Sequence, residues 1–346
     1  MELVEKLISQ QELTKEEYVE LLSNYENKGI ADRLAAEALR LRKIYYEDKV
    51  FIRGLIEFTN YCKNNCYYCG IRGENKNAVR YRLDREDILS CCENGYRLGF
   101  RTFVLQGGED GHFTDERMAE IVREIKANYP DCAVTLSIGE RSYESYKLLK
   151  EAGADRYLLR HETASERLYG HLHPENLKLS NRMECLQNLK ELGYQVGAGF
   201  MVGSPTQTLE DLAEDLLFLK RFEPQMVGIG PFLPHRDTKF ASETAGSVEL
   251  TVFLLSIIRI ILPKVLLPAT TALATASEDG REKGLKAGAN VVMPNLSPVD
   301  NRKKYSLYDN KVSTGGEAAE SLGVLEKLIE KAGFCMVKER GDAVTE

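Results

Sequence analysis

The stretch EAGADRYLLRH, residues 151–161, contains the unit that decides the fold: the end of a helix, a glycine and the start of a strand. Gly153 permits the left-handed backbone that closes a helix without a Cβ clash. Arg156–His161, which has Tyr157 and two leucines at its centre, is then predicted to be a strand. The same order recurs at three other glycines, Gly99, Gly193 and Gly288. The pattern indicates helices and strands that alternate along the chain.

Eight strands are predicted, near Phe51–Phe58, Thr102–Gln106, Ala133–Ile138, Arg156–His161, Val196–Val202, Met226–Pro231, Val265–Thr270 and Asn290–Pro294. Amphipathic helices are predicted between and after them, near Arg85–Leu98, Asp115–Asn128, Tyr143–Glu151, Asn181–Leu192, Leu209–Arg221, Val248–Leu262, Glu278–Lys286 and Ala318–Lys331. Eight such units predict an α/β fold, a complete (β/α)8 TIM barrel. An open doubly wound sheet is the alternative, but no dinucleotide-binding glycine motif follows the first strand.

This prediction divides the chain into three parts. Residues 1–48 form an N-terminal helical extension, in which Thr14 and Glu17 have the spacing of a capping box. Residues 49–300 form the barrel, and residues 301–346 form a C-terminal segment with a helix that packs on it.

Composition excludes several classes of function. The 346 residues are 43% hydrophobic and 29% charged, with a net charge of −7 and no basic run, so we expect no nucleic-acid partner. The longest apolar stretch, Val252–Leu262, is interrupted by Arg259, whereas a membrane-spanning helix needs about 20 apolar residues. We expect no membrane association. The first residues lack the basic and apolar regions of a signal peptide, which predicts a cytoplasmic protein.

Cysteines cluster in YCKNNCYYCG, residues 61–70, directly after the first predicted strand. In a barrel this loop opens at the C-terminal face, where active sites gather. Cys62, Cys66 and Cys69 can surround a soft metal centre, but a structural zinc site would need a fourth ligand, and none is obvious nearby. A [4Fe–4S] cluster usually takes four cysteines, so three would leave one iron open to another ligand.

The C-x3-C-x2-C spacing, with Tyr68 before the last cysteine, resembles the signature of the radical S-adenosylmethionine (SAM) superfamily. That resemblance implies that the amino and carboxylate groups of SAM chelate the open iron. One-electron reduction then cleaves SAM to a 5′-deoxyadenosyl radical. The strand-end segment QGGED, residues 106–110, resembles the glycine-rich segment of this superfamily, which assigns Gly107, Gly108 and Glu109 to SAM binding. An ordinary turn is the alternative for that segment.

A more specific resemblance, to the HydE family of [FeFe]-hydrogenase maturases, covers nearly the whole chain through YCKNNCYYCGIR, VLQGGED, AGADRYLLRHETA, VGIGPFLPH, LPATTAL and GANVVMPNLSP. It implies that Cys62, Cys66 and Cys69 are the catalytic cluster ligands. It also assigns Arg160, Glu162 and Arg182 to SAM contacts. The positions that it assigns to the substrate cavity are Thr135, Thr270, Thr271, Met293, Tyr305 and Tyr308.

The function implied by this resemblance is assembly of the diiron subcluster of the hydrogenase H-cluster, with one [4Fe–4S] cluster per chain and SAM as cofactors. The implied partners are an organometallic iron–cysteine substrate, an electron donor such as ferredoxin or flavodoxin, and other hydrogenase maturation proteins. A second cluster is not expected, because the segment Lys311–Glu320 contains no cysteine.

Four alternatives remain. A biotin-synthase-like enzyme would need further paired cysteines on strands, and none is seen on the predicted strands. A methylornithine-synthase-like enzyme shares the barrel and much of the cysteine loop, although Arg160–Thr163 and Pro268–Thr271 favour the maturase. A non-catalytic iron–sulfur electron carrier would need four protein ligands. The last alternative is a scaffold or binding protein that uses the barrel face.

Overall fold

The structure is a computed structural model that describes residues 1–344. The helices are α1 Glu2–Gln10, α2 Lys15–Leu22, α3 Lys28–Tyr46, α4 Arg85–Leu98, α5 Asp115–Asn128, α6 Tyr143–Glu151, α7 Glu166–Leu172, α8 Leu179–Glu191, α9 Leu209–Phe222, α10 Val248–Ile261, α11 Thr271–Ala276, α12 Gly280–Lys286, α13 Val299–Arg302 and α14 Leu322–Lys331. The strands are β1 Lys49–Ile52, β2 Gly54–Thr59, β3 Thr102–Gly107, β4 Ala133–Ser137, β5 Arg156–Leu158, β6 Gln195–Ala198, β7 Met201–Val202, β8 Met226–Val227, β9 Gly230–Pro231, β10 Val291–Val292 and β11 Cys335–Val337. Two 3-10 turns cover Gly315–Glu317 and Ala319–Ser321.

A parallel sheet of six strands, in the order β2-β3-β4-β5-β6-β8, forms the centre of the molecule. A second parallel sheet has the order β10-β1-β11, and β7 pairs with β9. Single parallel bridges continue beyond β8, joining Met226 to Leu266, Pro268 to Val291 and Leu55 to Asn295. The structure is therefore an α/β fold built on parallel strands.

The glycines that end helices behave as their positions predict. Gly99, Gly153, Gly193 and Gly288 have φ values of 98°, 110°, 74° and 102°, which lie in the left-handed region. The predicted capping box is also confirmed, because Thr14 Oγ1 accepts from the Glu17 amide at 3.3 Å while Glu17 Oε2 accepts from the Thr14 amide at 2.9 Å. These local signals fix where helices and strands change over.

Several predicted strands are shorter or divided. Val196–Val202 divides into β6 and β7 at Gly199, where a Cβ would lie 2.0 Å from the Gly228 carbonyl oxygen, so two chains approach too closely for a side chain. Met226–Pro231 divides into β8 and β9 beside the same contact. Val265–Thr270 makes only the single bridges at Leu266 and Pro268, because proline has no amide hydrogen to continue a ladder.

The other differences concern ends and short elements. The first predicted strand is interrupted at Arg53, and Arg156–His161 and Asn290–Pro294 shorten to β5 and β10. The predicted helix Ala318–Lys331 begins only at Leu322. Sequence patterns missed α7, α11, α13 and β11. The missed helices have four to seven residues, too few to show a 3.6-residue period.

The N-terminal helices lie on the outer layer of helices. Helix α2 packs on α9, where Lys15 pairs with Glu214, and α3 packs on α10. At the other end of the chain, β11 pairs with β1 through Lys49 and Cys335. Among the helices of residues 1–344, none has both the length and the hydropathy that crossing a membrane requires.

Candidate active site

A cavity of about 310 Å³ lies at the carboxyl ends of the central strands. Parallel strands of an α/β fold direct their following loops to this end, so the cysteine loop after β2 and the polar loops after β3 and β5 meet there. The predicted site residues that line the cavity are Cys62, Cys66, Tyr68, Cys69, Gly107, Gly108, Glu109, Arg160, Glu162, Arg182, Thr270, Tyr305 and Tyr308.

Three residues predicted for the cavity do not line it. Thr135 precedes the lining residue Ser137 by two positions along β4, so it points to the same side one layer deeper, into a separate space of about 10 Å³. Thr271 donates its hydroxyl hydrogen to Glu317 Oε2 at 2.7 Å. Met293 packs against an apolar cluster instead. The flanking sequence indicated which positions these residues match in the family. It could not show how far each residue lies from the cavity.

The cysteine loop is held by its own backbone and by its neighbours. The Cys69 amide donates to the Cys66 carbonyl at 3.2 Å, and the Lys63 amide donates to the Glu109 carbonyl at 3.0 Å. Burial raises the pKa of all three thiols, and it raises the pKa of Cys69 to about 12. The thiols are therefore neutral in the metal-free chain, and a bound metal must displace their protons.

Gly108 is packed against the cysteine loop. A Cβ at this position would lie 2.2 Å from the Tyr61 carbonyl oxygen and 2.7 Å from Cys62 Cβ. A Cβ at Gly107 would lie 2.7 Å from Thr59 Cγ2. These glycines thus permit close packing between the strand end and the loop that carries the cysteines.

Two oppositely charged side chains face the cavity with unused hydrogen-bonding capacity. Arg160 Nη2 lies 3.1 Å from Glu162 Oε2, but the pair lacks the angles of a hydrogen bond. Arg160 Nε is also without a partner. Glu162 has a φ of 67°, which is unusual for a residue with a side chain. Its amide donates to Gly199 at 3.0 Å and its carbonyl accepts from Met201 at 3.2 Å, so two backbone bonds hold this conformation.

Arg182 lies beside that pair and is anchored by a residue that sequence reasoning missed. Arg182 Nε donates to Glu140, and Nη1 donates to the Arg160 carbonyl at 2.6 Å. Burial alone would lower the pKa of Arg182, but the Glu140 carboxylate helps to raise it above its usual value. Glu140 follows β4, at the end of the sheet where the site lies. A charged residue at this position in the sequence could have indicated a site residue.

His161 lies behind the site rather than in it. Its Nδ1 accepts from the Gly199 amide at 3.3 Å, and its Nε2 lies 3.2 Å from Asp215 Oδ1. Burial lowers the pKa of His161 to about 3, so the ring is neutral at pH 7. His161 is fully buried beside Phe200 and Phe218 and does not line the cavity.

A second buried histidine was not predicted. His173 Nδ1 lies 2.9 Å from the Tyr169 carbonyl oxygen, and its Nε2 lies 3.4 Å from the Tyr68 hydroxyl. The His173 ring also stacks on Tyr169 with 3.9 Å between centroids. The stack supports Tyr68, the aromatic residue between Cys66 and Cys69.

Comparison with known proteins identifies the family. Residues 56–219 match the model of the radical SAM superfamily. The chain is 46% identical to the [FeFe] hydrogenase maturase subunit HydE of Thermotoga maritima, over 96% of this chain and 94% of the relative. This chain belongs to the HydE family of the radical SAM superfamily. The predicted family and the predicted enzyme class are confirmed.

Other radical SAM proteins share the fold. The chain is 30% identical to 3-methylornithine synthase of Methanosarcina acetivorans, over 88% of this chain and 86% of that protein. The crystal structure of methylornithine synthase (PylB) superposes with a TM-score of 0.84 at 27% identity and covers 97% of each chain.

Radical SAM enzymes use a [4Fe–4S] cluster and SAM, and the residues of this cavity fit both groups. Among residues 1–344, no three His, Cys, Asp or Glu side chains are arranged around one metal ion. A cluster differs from a single ion, because each cysteine binds its own iron. The unpaired atoms of Arg160 and Glu162 supply the donors and the acceptor that a ligand with both amino and carboxylate groups requires.

Proposed function

We propose that Cys62, Cys66 and Cys69 bind one [4Fe–4S] cluster and leave one iron for SAM. The observation that carries this proposal is that all three cysteines line one cavity opposite unpaired charged groups. Their spacing also matches the superfamily signature. When bound, the reduced cluster supplies the electron that cleaves SAM to a 5′-deoxyadenosyl radical.

The remaining polar residues of the cavity bind and orient SAM in this proposal. Glu162 accepts a hydrogen bond from the ligand, Arg160 donates one, and Arg182 holds the Arg160 backbone in place. Gly107, Gly108 and Glu109 form the strand end beside the methionine part of SAM, and Tyr68 contacts the ligand from the cysteine loop. Support comes from the shared cavity and from the Glu162 backbone, which two hydrogen bonds fix before any ligand binds.

The substrate occupies the part of the cavity lined by Thr270, Tyr305 and Tyr308. Tyr305 is almost fully buried, with its hydroxyl 3.4 Å from the Gln106 amide nitrogen, so this wall can exclude water from a radical reaction. Thr135, Thr271 and Met293 lie outside this lining.

The biological role that we propose is assembly of the diiron subcluster of the [FeFe]-hydrogenase H-cluster, on an organometallic iron–cysteine substrate. Ferredoxin or flavodoxin supplies the electron, and other maturation proteins act with this enzyme. The 46% identity to HydE supports this role. The second candidate is a methylornithine-synthase-like rearrangement, favoured by the 30% identity and the TM-score of 0.84.

We also propose that the strands close into a complete (β/α)8 barrel over residues 49–300, flanked by residues 1–48 and 301–346. The single bridges at Leu266, Pro268 and Asn295 support closure, since they continue from β8 back to β2. A cytoplasmic location agrees with the reducing surroundings that free thiols and iron–sulfur clusters need.

The decisive experiment is anaerobic reconstitution followed by iron and sulfide analysis. We expect about four iron atoms per chain, falling to near zero when Cys62, Cys66 and Cys69 are all changed to Ala. Cys335→Ala is the matched control, because this exposed thiol lies outside the cavity, and it should retain all four iron atoms. About eight iron atoms in the wild type, or a residual cluster in the triple variant, would contradict the assignment.

A second assay separates the two candidate roles. Purified holoenzyme is added to an extract that holds an immature hydrogenase and the other maturases, and hydrogenase activity is measured. We expect activity to depend on this enzyme and on the three cysteines. Formation of 3-methylornithine without any gain of hydrogenase activity would favour the alternative.

A further inference from the structure

A basic surface covers the outer side of the cysteine loop. It consists of residues 72–80 and 299–304, which we call the basic face. These residues include six Lys and Arg but only two acidic residues, in a chain whose net charge is −7. Five of the six cations are at least partly exposed, namely Arg72, Lys76, Arg80, Lys303 and Lys304, and the sixth, Arg302, is buried. The charge of this face is thus opposite in sign to that of the whole molecule.

Most of the positive charge on the basic face is not neutralised. Arg72 pairs with Glu74 and Arg302 pairs with Glu320. Within residues 1–344, the other four cations have no carboxylate partner. Arg80 donates only to backbone carbonyls, and Lys304 Nζ donates to the Asn301 side chain at 2.8 Å. Lys76 and Lys303 are exposed.

Each segment of the basic face also exposes one apolar side chain. Val79 and Val299 are both 66% exposed, which is unusual in a molecule that buries most of its aliphatic residues. Apolar contacts surrounded by charge are the usual composition of a protein interface.

The two segments are fixed to each other. The side-chain amide of Asn60, which is fully buried, donates to the Val79 carbonyl at 2.9 Å and to the Lys304 carbonyl at 2.7 Å. Arg80 in turn donates to the Asn60 carbonyl. The basic face is therefore one surface with a set geometry, so a partner can bind it without first ordering a loop.

This surface lies one layer of backbone away from the cysteines. The Asn75 side chain donates to the Gly70 carbonyl at 2.6 Å, and Gly70 follows Cys69 directly. The Arg72 amide donates to the Cys69 carbonyl at 3.2 Å. Lys76 follows Asn75 and is at the surface. Since SAM and substrate occupy the cavity in the proposed function, the outer side of the loop offers a short route for an electron.

We propose that the basic face docks an acidic one-electron carrier protein and that the electron enters through residues 69–76. The inference rests on the proposed function, since only a chain with a reducible cluster needs such a partner. In the transfer, the reduced carrier loses one electron and the oxidised cluster gains it, with no atom exchanged. Opposite charges speed the encounter, and Val79 and Val299 supply short-range contact.

The test uses anaerobic holoenzyme with two reductants, reduced flavodoxin and dithionite. The variant is Lys76→Glu/Lys303→Glu. Its matched control is Lys327→Glu/Lys338→Glu, which makes the same change of charge at exposed lysines on α14 and next to β11. We expect the variant to lower kcat/KM for flavodoxin by at least about tenfold, while the rate with dithionite stays within about twofold of the wild type. The control should behave as the wild type with both reductants.

A direct binding measurement makes the test independent of activity. Anisotropy of labelled oxidised flavodoxin, titrated with holoenzyme, should show a Kd at least about tenfold weaker for the variant and a smaller dependence on salt. An unchanged Kd, or equal weakening in the control, overturns the proposal. If the wild type binds flavodoxin through this face but cleaves no SAM with dithionite, the proposed function fails while the docking surface stands.

Discussion

The arginines at the two ends of the central strands differ: Arg259 is fully buried at the amino end, whereas Arg160 is half-buried at the carboxyl end. At the amino end, Arg259 donates to the carbonyls of Gly288, Pro263 and Val265 at 2.6 to 3.1 Å. At the carboxyl end, Arg160 keeps two nitrogens without partners beside the cavity. Burial lowers the pKa of Arg259 to about 9, which still leaves it charged at pH 7.

The difference shows how to tell a structural cation from a binding one. The partners of Arg259 are backbone carbonyls of the same chain, so its hydrogen bonds join α10 to the segment before β10 whether or not a ligand is bound. Arg160 is instead paired incompletely, and the free energy of its missing hydrogen bonds is available to a ligand. The comparison predicts that changes at the amino end affect stability, whereas changes at the carboxyl end affect cofactor binding.

The largest effect is expected for Arg259→Met. The substitution leaves several buried carbonyl oxygens without donors, and we expect a loss of about 3–5 kcal/mol in the free energy of unfolding. Urea unfolding, monitored by circular dichroism, measures it. SAM affinity of the folded protein should not change. Arg259→Lys keeps the charge and should lose less, and a loss under about 1 kcal/mol for the methionine variant would break the comparison.

The next effect is expected for Glu162→Gln. Removing the charge weakens the contact with SAM by about 1.5–3 kcal/mol, which is roughly a 10- to 150-fold rise in Kd. Equilibrium dialysis of SAM against holoenzyme measures the change. Stability should stay within about 0.5 kcal/mol, because Glu162 Oε2 makes no hydrogen bond that would be lost and its ion pair with Arg160 is partly exposed.

A control at the opposite end sharpens that result. Asp342→Asn removes the carboxylate that accepts from Arg156 at 2.6 Å, and it should lower stability while leaving SAM affinity unchanged. Equal SAM affinity in Glu162→Gln and the wild type would show that Glu162 has a structural role, as the Arg156–Asp342 pair does.

The smallest effect concerns pH and His173. Burial lowers the pKa of His173 to about 3, although its bond to Tyr169 opposes this shift. Below about pH 6.5 the unfolded chain binds a proton at His173 that the folded chain does not bind. The contribution of His173 to the free energy of unfolding is therefore fully present above pH 6.5, and it is lost as the pH falls towards 3. Between pH 7.5 and 5 we expect a loss of about 2 kcal/mol from this residue.

His173→Asn, which cannot take up that proton, measures the contribution. Urea unfolding at pH 7.5 and pH 5 should give a smaller difference for the variant than for the wild type. The same difference in both proteins would mean that His173 is accessible to protons in the folded state.

Sequence predicted what depends on neighbouring residues in the chain. The helix-ending glycines and the Thr14 capping box act over a few positions and are confirmed, whereas cluster binding by the closely spaced cysteines stays a prediction. It missed what depends on contacts between distant segments. Glu140 anchors Arg182 through a contact that forms only in the folded chain. Gly199 divides a strand because Gly228, which is distant in sequence, lies against it. Depth along a strand, as for Thr135, also depends on how the strands pack.

The pairing of β11 with β1 has a consequence for biosynthesis. Lys49 is paired with Cys335, which is translated 286 residues later. Until β11 has been synthesised, the amide and carbonyl groups on one edge of β1 have no partner strand. Such unpaired edges can pair with strands of other chains. This sheet gains β11 only after residue 335 has been translated, so long-range pairing follows the local helix–strand units in time.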